Sequence, residues 1–166
     1  MRTHSLIGRL LTVGALVVGV LATGATPAAA APDQGRPFHV SIQADATIPG
    51  AAGCAELSGT GNATHMGQIT VTGEACGETG VATWTAANGD SVTFYFHTEI
   101  IGVNEDGALI ALMPADAVVG TGRFVDVAVD GPGLYSLIYP YADGSIHLVS
   151  WLDSTIYYDA SNRSSG

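Results

Sequence analysis

From Pro37 onward, apolar and polar residues alternate with a period of two. Phe38, Val40, Ile42 and Ala44 interleave with His39, Ser41, Gln43 and Asp45, the mark of a strand with one buried face. Gln68 to Thr72 alternates likewise. Val81 to Thr85 leads through Asn88-Gly89 into Ser91 to Ile100, where Val92, Phe94, Phe96 and Thr98 oppose Thr93, Tyr95, His97 and Glu99. Asn-Gly between alternating runs is a strong hairpin signal. Asn104-Glu105-Asp106-Gly107 reads as the next turn, followed by a strand over Ala108 to Met113. Pro114 has no N–H for a ladder, so Pro114-Ala115-Asp116 is expected to be a short loop or one helical turn. Val118-Val119 reaches a Gly-Thr-Gly phrase, and Phe124 to Val129 resumes the alternation before Asp130-Gly131-Pro132-Gly133 turns. Leu134 to Pro140, a turn at Ala142-Asp143-Gly144, Ile146 to Leu152 and Thr155 to Tyr158 complete the pattern. About nine short strands with almost no helical period predict an all-β, antiparallel barrel or, alternatively, a β-sandwich. Apolar groups on both faces of some strands, such as Phe94 and Phe96 against Tyr95, favour the barrel.

The ends of the chain read differently. Arg2 and Arg9 flank the start of an apolar run, Leu10 to Ala22, and small residues close at Pro27-Ala28-Ala29-Ala30. That layout predicts a signal peptide over residues 1–30 with cleavage after Ala30. The alternative, an uncleaved membrane anchor, fits less well because the run falls short of the roughly 20 residues needed to span a bilayer. Residues 31–37 then form a flexible lead-in, 38–158 the β-domain and 159–166 a polar tail, and the product is expected to be secreted and extracellular. The chain has a formal net charge of −10 and contains no lysine. Beyond residue 30 its cations are Arg36, Arg123 and Arg163, against 15 acidic residues. Such a surface repels phosphate backbones and anionic membranes, so neither nucleic acid nor, after cleavage, a membrane is expected as partner.

Cys54 and Cys76 are the only cysteines, and export makes a disulfide their default, with two free buried thiols as the alternative. If the chain reverses around Thr64-His65-Met66, Cys54 faces Cys76. The bridge then closes the open end of a hairpin and contributes about 3 kcal/mol on the chain-entropy account.

Three glycine-bounded phrases carry a family resemblance. Gly120-Thr121-Gly122-Arg123-Phe124, preceded by Val118-Val119, resembles the signature of the dirigent and allene oxide cyclase-like barrels. Ala63-Thr64-His65-Met66-Gly67 with Thr70-Val71-Thr72-Gly73 after it, and Ala87-Asn88-Gly89-Asp90, are similar to small secreted bacterial proteins of that superfamily. The resemblance covers residues 38–158 and implies an eight-stranded antiparallel barrel with a central apolar cavity, which in some members guides coupling or cyclisation of small hydrophobic molecules. Departures are Val119-Gly120 where relatives usually carry paired glycines, and Val127 where they carry a small residue. The plant enzymes' catalytic carboxylates find no matching positions, so no catalytic residue is carried over. Gly122 is expected to have positive φ or to lie against another strand.

Candidate chemistry is sparse. Arg123 suits either an anionic ligand or a structural pair with Asp126 or Asp116 that pins the Gly-Thr-Gly turn. His39, His65, His97 and His147 lack metal-ligand spacing, so no metal and no cofactor is expected. His97 and Glu99, sharing a face with Tyr95, would suit an acid–base pair in a dry cavity. Tyr135, Leu137 and Tyr139 alternate on one face; Phe94, Tyr95, Tyr135 and Tyr139 are the expected ligand-binding residues. Asn62-Ala63-Thr64 and Asn162-Arg163-Ser164 fit the glycosylation acceptor. The reading is a secreted, disulfide-stapled barrel that binds a small apolar ligand or serves as an extracellular scaffold, without catalysis. The alternatives are a cofactor-free cyclase or isomerase acting by confinement, and an interaction protein with a filled barrel.

Overall fold

The computed structural model describes residues 34–47 and 53–159. The expected signal peptide, its cleavage point, the tail beyond residue 159 and the Asn162 acceptor lie outside the described residues. The strands are β1 (Arg36–Thr47), β2 (Cys54–Ala63), β3 (Gly67–Cys76), β4 (Thr79–Ala86), β5 (Ser91–His97) and β6 (Glu99–Val103). They continue with β7 (Leu109–Met113), β8 (Ala115–Gly120), β9 (Ala128–Asp130), β10 (Leu134–Pro140) and β11 (Ser145–Tyr157). One turn of 3₁₀-helix, Gly122–Phe124, separates β8 from β9. All pairings are antiparallel and belong to one strongly curled sheet of order β6-β7-β10-β11-β1-β2-β3-β4-β5-β8, with β9 added on β11.

The hairpins follow from their turn chemistry. β2 and β3 reverse at Thr64-His65-Met66, where His65 alone of the described non-glycine residues has positive φ, 72°. Thr64 N–H donates to His39 O at 2.9 Å, tying this turn to β1. The register that follows sets Ala63 opposite Gly67 and Cys54 opposite Cys76, and the two cysteines are bonded. Asn88-Gly89 turns β4 into β5, with Gly89 at φ 88° and Gly89 N–H donating to Ala86 O at 2.9 Å.

Several boundaries differ from the sequence reading. Pro114 is neither in a loop nor in a helical turn: it is the single residue between β7 and β8. Thr98 likewise stands alone between β5 and β6, within the run expected as one strand. Phe96 lies opposite Ala115 and Glu99 opposite Leu112, so the ladder resumes in the same register after the interruption. The missing N–H of Pro114 thus bends a continuing pair without ending it. Alternation over Phe124 to Val129 is largely fortuitous, because Phe124 belongs to the 3₁₀ turn and pairing resumes only at Ala128. Ile146 to Leu152 and Thr155 to Tyr158, expected as two strands, are one long strand, and β1 begins at Arg36, inside the expected lead-in.

The concave side of the sheet is the core. Phe38, Val40, Ile42, Ala44 and Ala46 of β1 are buried while the residues between them are exposed or half-buried, and each large apolar side chain so removed from water contributes about 1.5–3 kcal/mol. At the end holding the Thr64–Met66 and Asn88-Gly89 turns, Phe38, Met66, Val92, Phe124, Ile156 and Tyr158 close the interior. The ring centroids of Phe124 and Tyr158 lie 4.8 Å apart.

Two outcomes check this packing. Gly122 has φ +59° and a Cβ there would strike the Asp90 carboxylate, so Gly122→Val is expected to lose more than about 1 kcal/mol in denaturant unfolding. Mass spectrometry of the non-reduced protein should show Cys54 bonded to Cys76, and reduction should lower unfolding stability by about 3 kcal/mol.

Candidate functional site

The space enclosed by the strands is apolar and only partly filled. Inward positions of β1 to β5 supply Ile42, Ala44, Leu57, Val71, Ala82, Trp84, Phe94 and Phe96, and small residues at several of them leave room. The result is a cavity of about 130 Å³ whose opposite wall is built by Met113, Leu134, Leu148, Ser150, Leu152 and Ser154. An engineered apolar cavity of about 150 Å³ stays dry and holds benzene. This space is of that order and suits a single ring. No ionisable side chain lines it.

Only two of its lining side chains carry a hydroxyl. Ser154 Oγ donates to Asp130 O. Ser150 Oγ lies 2.7 Å from Ser136 Oγ, which donates onward to Met113 Sδ at 3.6 Å. With Ser136 so engaged, the Ser150 proton goes to Ser136. Both lining hydroxyls therefore offer lone pairs to the cavity.

A second recess, of about 270 Å³, lies at the disulfide end among Ala46, Gly53, Ala55, Ala75, Gly77 and Thr98. Leu57, Phe96, Met113 and Leu148 border both spaces. They form the partition between the recess and the cavity, and Met113, unbranched and pliable, is its most adaptable member. Gly80 makes room for the Phe96 ring, which occupies the place a Cβ would take.

Of the expected ligand-binding residues, the structure puts Phe94 in the cavity wall and the three tyrosines outside it. Tyr95 is 48% exposed. Tyr135 stacks on Trp151, with centroids 6.2 Å apart and planes at 14°, and Tyr139 lies 6.4 Å from the His147 ring. Strand parity is the reason: Ser136 and Ile138 take the inward positions of β10. Ser136, Ser150 and Met113 escaped the sequence reading. The signal for Ser150, in Leu148, Ser150, Leu152 and Ser154 at alternate positions of β11, is masked by an equally mixed opposite face.

Arg123 is engaged in structure. Its Nη2 donates to His65 O, its Nε is 3.3 Å from Asp90 Oδ2, and its guanidinium stands 4.8 Å from the Phe124 ring centroid. The Nε has no acceptor in hydrogen-bond geometry, so the contact with Asp90 is electrostatic. Asp90 also accepts from Asn88 Nδ2 at 2.8 Å. Asp116, one expected partner of Arg123, instead bonds His97. The three glycine-bounded phrases thus meet at one end of the sheet, joined through Arg123, Asp90 and a 2.9 Å contact between Ser91 Oγ and Thr121 Oγ1.

His97 is bracketed by two carboxylates at the Thr98 bend. Its Nδ1 is 2.8 Å from Asp116 Oδ1 and its Nε2 3.2 Å from Glu99 Oε1. These bonds, that to Asp116 first, raise its pKa above the ordinary 6.5. Both carboxylates favour the protonated ring, in which both nitrogens donate. His97 is absent from the cavity lining. Among the described residues, no group of three or more His, Cys, Asp and Glu is placed to hold a metal ion, and no helix is long and apolar enough to cross a membrane.

Comparison with known proteins finds no matching family model, no matching curated sequence and no matching solved structure.

The bracketed histidine generates a pH prediction. A raised folded pKa means that the pairing's contribution is full below the unfolded value near 6.5 and is lost as pH rises through the higher folded value. NMR titration of His97 should give a midpoint above 6.5, and Asp116→Asn should move it down.

Proposed function

We propose that this protein is an extracellular, disulfide-stapled β-barrel that binds a small apolar molecule without transforming it. The observation that carries the reading is the cavity of about 130 Å³, free of ionisable groups and bordered by Phe96 and Met113 where it adjoins the recess. A cyclase or isomerase using a general acid or base would need a titratable group at the reacting atoms, and the lining offers only serine hydroxyls. The ligand class is a single-ring or similarly small apolar compound, and one hydroxyl donor on it would suit the Ser150 and Ser154 lone pairs.

The architectural part of the proposal is an eight-stranded closed barrel. Counting β5 with β6 and β7 with β8 as single bent strands, and leaving β9 aside, gives a cyclic order in which every strand has two neighbours; the pairings of β4 with β5 and of β7 with β10 support it. This order and the Gly120–Phe124 phrase are the grounds for placing the chain with the dirigent and allene oxide cyclase-like barrels. The signal-peptide layout of residues 1–30 and the Cys54–Cys76 bridge support secretion.

The test is NMR titration of the purified protein with benzene, phenol and cyclohexane. Benzene or phenol should shift the resonances of Phe94, Trp84 and Leu148 saturably, phenol more tightly. Ala82→Leu, which fills the space, should abolish the shifts, while Met113→Ala should admit larger rings. Absence of any shift with the wild type, at millimolar ligand and with the fold intact, removes the ligand reading and leaves that of an interaction protein with a filled interior.

A further inference from the structure

The convex side of the same sheet holds a separate concavity of about 630 Å³, crossing β11, β1, β2, β3 and β4. We propose that it is a binding groove for a neutral saccharide chain. Its side chains are arranged in rows by the sheet register. Gln68, Asn62, Ser41, Trp151 and Tyr135 are successive Cα partners across five strands. Beside them, Thr85, Thr70, Thr60 and Gln43 are successive partners across four. Neighbouring strands lie about 4.8 Å apart, so the rows present one amide or hydroxyl per strand, and the first ends on the Trp151 and Tyr135 rings.

Three properties of this surface select a sugar. First, the groove lining contains no ionisable side chain, although the chain as a whole carries a net charge of −10. A phosphate- or carboxylate-bearing ligand would find no cation there, and a cationic one no anion. Second, Gln43, Asn62, Gln68, Thr60 and Thr70 make no side-chain hydrogen bond to another described residue, so their donors and acceptors are available together. Primary amides donate and accept side by side, which matches the paired hydroxyls of a pyranose ring. Third, Trp151 is 42% exposed and lies nearly parallel to Tyr135, with centroids 6.2 Å apart. The exposed indole, backed by the Tyr135 ring, offers an apolar face on which the C–H face of a sugar can lie while its hydroxyls reach the amides.

A protein partner, including a second copy of this chain, fits less well. The fully buried centre of such an interface is more apolar than the rest of the surface and enriched in aromatic residues, whereas the middle of this groove is threonine and amide, with its aromatic residues at the edge. Because the groove and the interior cavity lie on opposite faces of the sheet, the two proposals stand or fall separately.

The experiment uses the chain produced in a host without N-glycosylation, so that the Asn62-Ala63-Thr64 acceptor stays unmodified. Soluble cello-, xylo-, manno-, laminari- and N-acetylchito-hexaoses are titrated, with calorimetry and tryptophan fluorescence as readouts. Trp84, the only other tryptophan, is 2% exposed, so a surface ligand acts on Trp151 emission. At least one hexaose should bind saturably and shift that emission. Trp151→Ala should weaken calorimetric binding by about tenfold or more, Trp151→Phe should retain part of it, and Gln43→Ala should weaken it several-fold, all with unchanged thermal melts. Binding by no hexaose overturns the proposal, as does binding unaffected by Trp151→Ala. Sedimentation showing a dimer that Trp151→Ala dissociates would assign the groove to a second copy and overturn it equally.

Discussion

The constraint on which the rest of the structure depends is the antiparallel pairing of two bent runs, residues 91–103 with 109–120. At one end of this pair β5 is hydrogen-bonded to β4, and at the other β7 is hydrogen-bonded to β10. Two covalent segments therefore carry the ladder from one extreme of the sheet order to the other. Both must bend to do so. Pro114 and Thr98 supply the interruption, and register shifts between Tyr95 and Phe96 and between Ile100 and Gly102 add the local twist that bulges introduce. His97, drawn between Asp116 and Glu99, sits at the bend and ties its two sides together.

The two ends of the sheet are held by different physics. At the turn end, Arg123 gathers His65 O, the Asp90 carboxylate and the Phe124 ring, over a floor of packed aromatic and aliphatic side chains. Asp90 is 7% exposed, and a carboxylate that deep is tolerable only while its cation and amide partners remain in place. At the disulfide end the hold is covalent, and small residues, Gly53, Ala55, Ala75 and Gly77, leave the recess beside it. Dense packing at one end and missing volume at the other make the interior a cup.

Local chemistry was legible in the sequence, and parity was not. The reversal at Thr64–Met66 set the register of β2 on β3 and with it the Cys54–Cys76 contact, and Asn88-Gly89 set the next hairpin, because each turn needs only its own residues. The positive φ of Gly122 was legible for the same reason. Tyr135 and Tyr139 were read inward because both faces of β10 are largely apolar, and only the neighbouring strands decide which faces the core. Pro114 was read as a break because the continuing register on both sides of it depends on a partner strand more than ten residues away in the chain. The Asp90 contact of Arg123 was out of reach as well: Asp90 is brought to it by the sheet, whereas Asp116, near in sequence, bonds His97.

The glycines that face the interior also govern how this chain can diverge over generations. A Cβ at Gly59 or Gly61 would collide with the β1 backbone, at Gly73 with that of β4, and at Gly120 with that of Phe124. In each case the obstacle is main chain, which cannot step aside as a flexible side chain can. Every single-nucleotide path away from glycine at these sites therefore meets the same wall. Side chains that meet only other side chains can be exchanged in compensating pairs, while these glycine positions drift last, so remote relatives should be recognisable by the spacing of their glycines when little else of the sequence survives.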